Sequence, residues 1–167
     1  ANTDSNNNWI NTGNLAQAIR YAVDNGARVI NMSLRWSDST ALRDALAYAA
    51  SRNVITVSAA GNSSGSSPGT PAYYATQYGF SVGAVDSSRT IASFSNRAGT
   101  NSSMQHVMAP GVNVYSTVPG NGYASYSGTS MAAPHVAGVV ALMLGANPNL
   151  THAQVRSILT SSAVRLP

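Results

Sequence analysis

Apolar residues recur along this chain first at helical and then at strand spacing. Leu15, Ala18, Ile19, Ala22 and Val23 fall on one face of a helix, and Gly26 is placed to end it. Residues 28–33 (RVINMS) form a short β-branched run and read as a strand. Ser39 or Thr40 can cap a second helix whose inward face is Leu42, Ala45, Leu46 and Ala49. Residues 54–60 (VITVSAA) are nearly all apolar, as expected of a strand covered on both faces. Strand, helix and strand within about thirty residues make a βαβ unit, so the two strands should be parallel with a right-handed crossover.

Residues 61–70 (GNSSGSSPGT) are the most loop-like stretch. They follow a buried strand, which puts them at the carboxyl edge of the sheet, where open α/β sheets build their sites. Residues 80–85 read as a further strand and 91–94 as another. Residues 112–118 and 123–126, joined across Pro119-Gly120-Asn121-Gly122, read as a hairpin. A long apolar helix runs from Ser130 to Leu144 and ends at Gly145. Thr151 and Gln154 form a capping box for a last helix near 153–160. The first dozen residues are polar, Asn-rich and loop-like. With no repeat and no second domain, the pattern predicts one α/β unit. It has three α/β/α layers, a mostly parallel sheet, and a hairpin near Ser130.

Composition narrows the function. The 167 residues can bury a real core. No run long enough to cross a membrane and no signal-peptide pattern is seen, so no membrane partner is expected. There is no cysteine, hence no disulfide framework and no thiolate zinc site. Only 8% of residues are charged, all of them Arg or Asp. The arginines are scattered singly from Arg20 to Arg165 and form no basic stripe, which speaks against nucleic acid. The abundance of Ser, Asn, Gly and Ala points to an exported surface.

The chemistry gathers at Gly128-Thr129-Ser130, where a small-residue turn opens into the apolar helix. Unpaired N–H groups and the positive end of the dipole favour negative charge there, the setting an acyl-transfer nucleophile needs. An N-cap serine would look the same in isolation. The lipase-type elbow wants Gly two residues after the serine, and this chain has Ala132. Asn62, just past a buried strand, can donate a side-chain hydrogen bond into the same crevice. As a base for Ser130, His135 is badly placed, about 7.5 Å along the helix and about 140° around it. His106 precedes a strand and reads as a packing or surface residue, and His152 as an exposed first-turn residue. Asp86, at a strand end, has no histidine partner. The chain contains no self-contained triad.

Three blocks make the resemblance: Val57-Ser58-Ala59-Ala60-Gly61-Asn62, Val107-Met108-Ala109-Pro110-Gly111, and Gly128-Thr129-Ser130-Met131-Ala132-Ala133-Pro134-His135-Val136-Ala137-Gly138. With Val29-Ile30-Asn31-Met32-Ser33-Leu34, they resemble the subtilisin-like serine proteases from about Leu15 to Leu166. The resemblance implies that Ser130 is the acylated nucleophile. Asn62 and the Ser130 N–H would hold the oxyanion, with Thr129 assisting. Ser33 and Leu34 would clamp an extended substrate as a β-strand. Ser58, Ala59, Ala60 and Gly61 would wall the pocket for the residue before the scissile bond.

The departures shape the expectation. The family's relay order is Asp, His, Ser, and neither Asp-(Ser/Thr)-Gly nor His-Gly-Thr-His occurs here. Residues 1–167 therefore read as a partial subtilase catalytic domain, truncated at the N-terminus, that carries the nucleophile and oxyanion-hole portion. The expected activity is serine endopeptidase cleavage of protein or peptide substrates, with this chain inactive alone. The missing N-terminal part of the domain is the implied partner. The alternatives are one chain of a two-chain protease, and a non-catalytic scaffold or peptide-binding remnant. The resemblance also implies secretion, and calcium in a full-length member. The tightest calcium site of the family draws on residues absent here, so no metal ligand is assigned. Arg35 stands where a glycine is common. Truncation is expected to leave a strand edge and one sheet face bare.

Overall fold

The computed structural model describes residues 14–166; the loop expected over the first dozen residues lies outside them. In order the elements are α1 (Asn14–Asp24), β1 (Val29–Met32), α2 (Thr40–Ser51), β2 (Ile55–Ala59), a 3-10 helix (Ala72–Thr76), and β3 (Phe80–Val85). There follow β4 (His106–Pro110), β5 (Val114–Val118), β6 (Gly122–Tyr126), α3 (Thr129–Ala146) and α4 (His152–Ser162). The four strands β1-β2-β3-β4 pair in parallel, in that order. β5 and β6 form the separate antiparallel hairpin, with Thr117 opposite Tyr123.

Alternation along the strands explains the layers. Ile55, Val57 and Ala59 of β2, Phe80, Val82 and Ala84 of β3, and Val107 and Ala109 of β4 form one apolar surface. Onto it pack Ala132, Ala133, Val136, Val140 and Leu144 of α3 and Val155 of α4. A second cluster joins Met32 and Val54 to Ile19 and Val23 of α1, to Leu42, Ala45, Leu46 and Ala49 of α2, and to Tyr74. The expected inward face of α2 is thus the observed one, and Ser39 caps it by accepting from Leu42 N–H. The result is the three-layer α/β/α arrangement with a mostly parallel sheet.

Four expectations need correction. Residues 91–94 form no strand, only a bridge from Ile91 to Val85. β3 pairs with β4 through Ser81–Val85 and with β2 only through Phe80–Val82, so a short end beyond Val82 is open on that side, where Ala92 N–H also donates to the Ala84 carbonyl at 2.9 Å. Elements pack against the sheet in both clusters, so no sheet face is bare, while β1 pairs with β2 alone among the described residues and leaves the expected open edge. The apolar exposure lies instead on the outward side of α3, where Val139 is 45% and Leu142 76% exposed. α3 is also long and apolar enough, by length and composition, to cross a membrane, a run the sequence reading did not credit. It is the core helix here, since it touches all four strands of the sheet. Finally, His152 is half-buried because its Nε2 accepts from Gly79 N–H at 3.0 Å.

Candidate active site

α3 begins without a cap of its own. Its N-cap residue is Gly128, which has no side chain to offer. The cap comes from across the cleft, where Asn62 Oδ1 accepts from Thr129 N–H and from Thr129 Oγ1, both at 2.8 Å. Thr129 Oγ1 in turn accepts from Gly61 N–H at 3.0 Å. These donors fix the amide of Asn62 by chemistry, since only its oxygen can accept them. Its NH2 group then faces the start of α3, and a Cβ placed on Gly128 would lie 3.3 Å from Asn62 Nδ2.

Ser130 is one residue further on and only partly buried. Pro134 has no N–H, so the Ser130 carbonyl loses its helical donor. Ser33 Oγ takes that place at 2.7 Å, and Asn31 Nδ2 donates to Ser33 Oγ at 3.0 Å. The Ser130 hydroxyl makes one long contact, 3.5 Å to the Ser33 carbonyl. The segment after β1 is thereby tied to the start of α3, as residues 61–62 after β2 are tied to it through Thr129. Between these segments lies a cleft of about 630 Å³, lined by Ser33, Leu34 and Arg35 on one side. Ala59, Ala60, Gly61 and Asn62 line it on the other, with Thr129 and Ser130 at its base. Ser58 is placed differently: it is 3% exposed inside β2, paired with Met32 and Ser81, and does not line the cleft.

No histidine bonds to Ser130. His135 Nδ1 meets the Met131 carbonyl at 2.9 Å on the exposed side of α3. His106 lies between Ser81 Oγ, 2.9 Å from Nδ1, and Met108 Sδ, 3.2 Å from Nε2. Burial, and then the Arg97 charge, pushes His106 down to about 4. Burial, and then Arg156, pushes His152 down to about 4. Both imidazoles are therefore neutral structural groups at neutral pH. Asp86 accepts from Ser88 and Thr90 N–H in a turn. Among the described residues no three of His, Asp, Glu or Cys come together that could hold a metal ion.

Sequence reasoning did not find Asn96, which is 5% exposed behind the Asn62 loop and also lines the cleft. A single Asn between Ser95 and Arg97 carries no signal until the fold brings it to residues 60–65.

The profile of the subtilase family matches residues 2–166. Subtilisin DY from Bacillus licheniformis is 46% identical over 155 residues, covering 91% of this chain and 55% of that protein. Subtilisin E from Bacillus subtilis (strain 168) is 47% identical over 163 residues, covering 95% of this chain and 40% of that protein. The crystal structure of a cold adapted subtilisin-like serine proteinase superposes with a TM-score of 0.84 at 36% identity, covering 96% of this chain and 57% of that one. The chain spans about half the length of the relatives it matches.

Proposed function

The chain belongs to the subtilase family, and from that premise we propose that it is the nucleophile and oxyanion-hole portion of a secreted serine endopeptidase. Ser130 attacks the scissile carbonyl of an extended peptide. The developing oxyanion is met by Asn62 Nδ2 and the Ser130 N–H, and the acyl group passes through Ser130 Oγ to water. The observation that carries this reading is the pair of hydrogen bonds that Thr129 N–H and Oγ1 donate to Asn62 Oδ1, which leaves the amide donors aimed at the start of the nucleophile helix. Ser33 and Leu34 supply one edge for the substrate strand; Ala59, Ala60 and Gly61 wall the side-chain pocket. With so many small side chains around it, the cleft has room for a large apolar residue before the scissile bond.

The general base and its orienting carboxylate come from outside this set of residues, because all three histidines are engaged elsewhere. The remaining part of the catalytic domain is the partner that supplies them, whether in the same chain or in a second one. The long 3.5 Å contact of the Ser130 hydroxyl favours one other reading, a peptide-binding scaffold without catalysis. Fluorophosphonate labelling separates the two. The complete protein, including its Asp and His segments, is expected to be modified rapidly and stoichiometrically at Ser130, and the Ser130→Ala variant not at all. The 167 residues alone are expected to stay unlabelled. A complete protein that carries both motifs and does not react would leave only the scaffold.

A further inference from the structure

The loop that carries Asn62 has almost no contacts of its own to hold its shape. It leaves β2 through Gly61, whose φ of +110° is a conformation that side chains rarely adopt. Backbone bonds from Ser64 N–H to the Phe94 carbonyl and from Arg97 N–H to the Gly65 carbonyl, both at 2.9 Å, help to seat the loop, and one buried side chain holds the residues that flank Asn62. Asn96 Oδ1 accepts from Ser63 N–H at 3.1 Å, Ser63 Oγ at 3.0 Å and Gly65 N–H at 2.9 Å. Its Nδ2 donates to the Ala60 carbonyl at 3.1 Å, and its own N–H donates to the Gly61 carbonyl at 2.9 Å. Asn96 therefore grips the residue on each side of Asn62. The fit is close: a Cβ on Gly61 would lie 2.6 Å from Asn96 Nδ2. Asn96 is itself fixed to the sheet through its neighbour. Ser95 Oγ accepts from Ala84 N–H at 3.0 Å and donates to the Asn96 carbonyl at 3.1 Å.

We propose that Asn96 is a positioning residue for the reaction: its amide sets the backbone of Asn62 and so aims the Asn62 Nδ2 donor at the oxyanion. The inference rests on the reading of Asn62 given above. The chemistry needs an amide at position 96. A carboxylate keeps the acceptor for Ser63 and Gly65 but turns an oxygen toward the Ala60 carbonyl, and an aliphatic side chain of similar size leaves three donors unpaired inside the loop. The bonds to Thr129 fix the far end of the Asn62 side chain, and Asn96 fixes its base. A donor misplaced by a fraction of an ångström would still let substrate bind. It would stabilise the transition state less, because the oxyanion interaction is made only there.

The test is a double-mutant cycle in the complete peptidase with Asn96→Ala, Asn62→Ala and the pair, with Asn96→Asp as a second variant that keeps the acceptor. Asn62→Ala is expected to lower kcat by about 100- to 1,000-fold, the magnitude measured for a subtilisin's oxyanion asparagine and carried over to this one. Asn96→Ala is expected to lower kcat by roughly 10- to 100-fold with KM within about twofold, and by under about threefold when Asn62 is already alanine. Asn96→Asp is expected to show the same non-additivity with a smaller loss. A loss that multiplies in full with that of Asn62→Ala, or one that falls on KM and side-chain preference, overturns the proposal, the latter making Asn96 a substrate contact. If Asn62→Ala leaves kcat unchanged, the reading of Asn62 itself falls and takes the proposal with it. In the complete peptidase, the side-chain amide protons of Asn62 provide a readout independent of activity. Their resonances are expected to broaden or shift in Asn96→Ala, and an unchanged pair overturns the proposal.

Discussion

The hydroxyl of Thr129 joins its own N–H in setting which way the Asn62 amide faces. It is wholly buried, accepts from Gly61 N–H and donates to Asn62 Oδ1. Thr129→Val keeps the shape and removes both bonds. It is expected to cost the complete enzyme roughly 10-fold or more in kcat at nearly constant KM, while Thr129→Ser is expected to restore most of it. Steady-state kinetics on a peptide anilide checks both. Among the described residues, Arg35 is the one charged residue lining the cleft. Arg35→Glu is expected to move substrate preference several-fold from acidic toward basic side chains, an effect that fades as salt is raised. Gly79 has φ +63°, and a Cβ there would lie 2.0 Å from the Thr56 carbonyl oxygen. Gly79→Ala is therefore expected to destabilise the chain by about 3 kcal/mol in chemical denaturation, from overpacking and left-handed strain. Legibility at this scale was partial. Ser130 and Asn62 stood out as candidates because one opens a helix and the other ends a strand, and the fold brings Asn62 to the start of α3. Asn96 bonds to residues distant in sequence, and no local pattern marks it.

Elements with a single dominant period were readable, and those shaped by distant partners were not. α1, α2, β2, β3 and the hairpin follow directly from spacing and caps. The capping box of α4 was legible too, with Thr151 Oγ1 accepting from Gln154 N–H and Gln154 Oε1 accepting from Thr151 N–H. The 3-10 helix Ala72–Thr76 was not, since it is held by tertiary bonds rather than by a period of its own. Arg156 of α4 donates to the Ala75 carbonyl at 2.6 Å and to the Gln77 carbonyl at 2.7 Å. This buried cation faces carbonyls and no carboxylate, and burial lowers its pKa. Arg156→Ala is expected to cost about 2 kcal/mol, from lost charge-assisted bonds and the carbonyls left behind. Hydrogen exchange should show the loss first at residues 72–79 and α4. A separate bond from the same segment, Gly79 N–H to His152 Nε2, explains why His152 looked exposed in the sequence and is not. Its ring is drawn under Gly79 by a contact 73 residues away.

Across the whole molecule, two half-buried neutral imidazoles make stability depend on pH. His106 and His152 titrate near 4 in the folded chain, against about 6.5 when unfolded. Between those values the unfolded state binds protons that the folded state does not, so stability falls as pH drops from about 6.5 to about 4. Above that window these groups add no slope. Urea midpoints measured from pH 7.5 to 4 are expected to show the decline, and His152→Gln to flatten it. The outward side of α3 has a separate effect. Val139 and Leu142 present apolar surface that the rest of the described chain does not cover. The 167 residues alone are expected to self-associate, and Leu142→Gln to reduce this in light scattering. The trans cap on α3 adds a kinetic consequence. The helix that bears Ser130 is closed at its start by a residue 67 positions earlier in sequence, so its first turn cannot be completed by local chain motion. Bonds of such span form only after a large loop has closed, which places them late on a folding path. The groups that would make the serine reactive therefore come into register only once β2 is already seated beneath α3, and a half-folded chain carries a serine that is chemically silent.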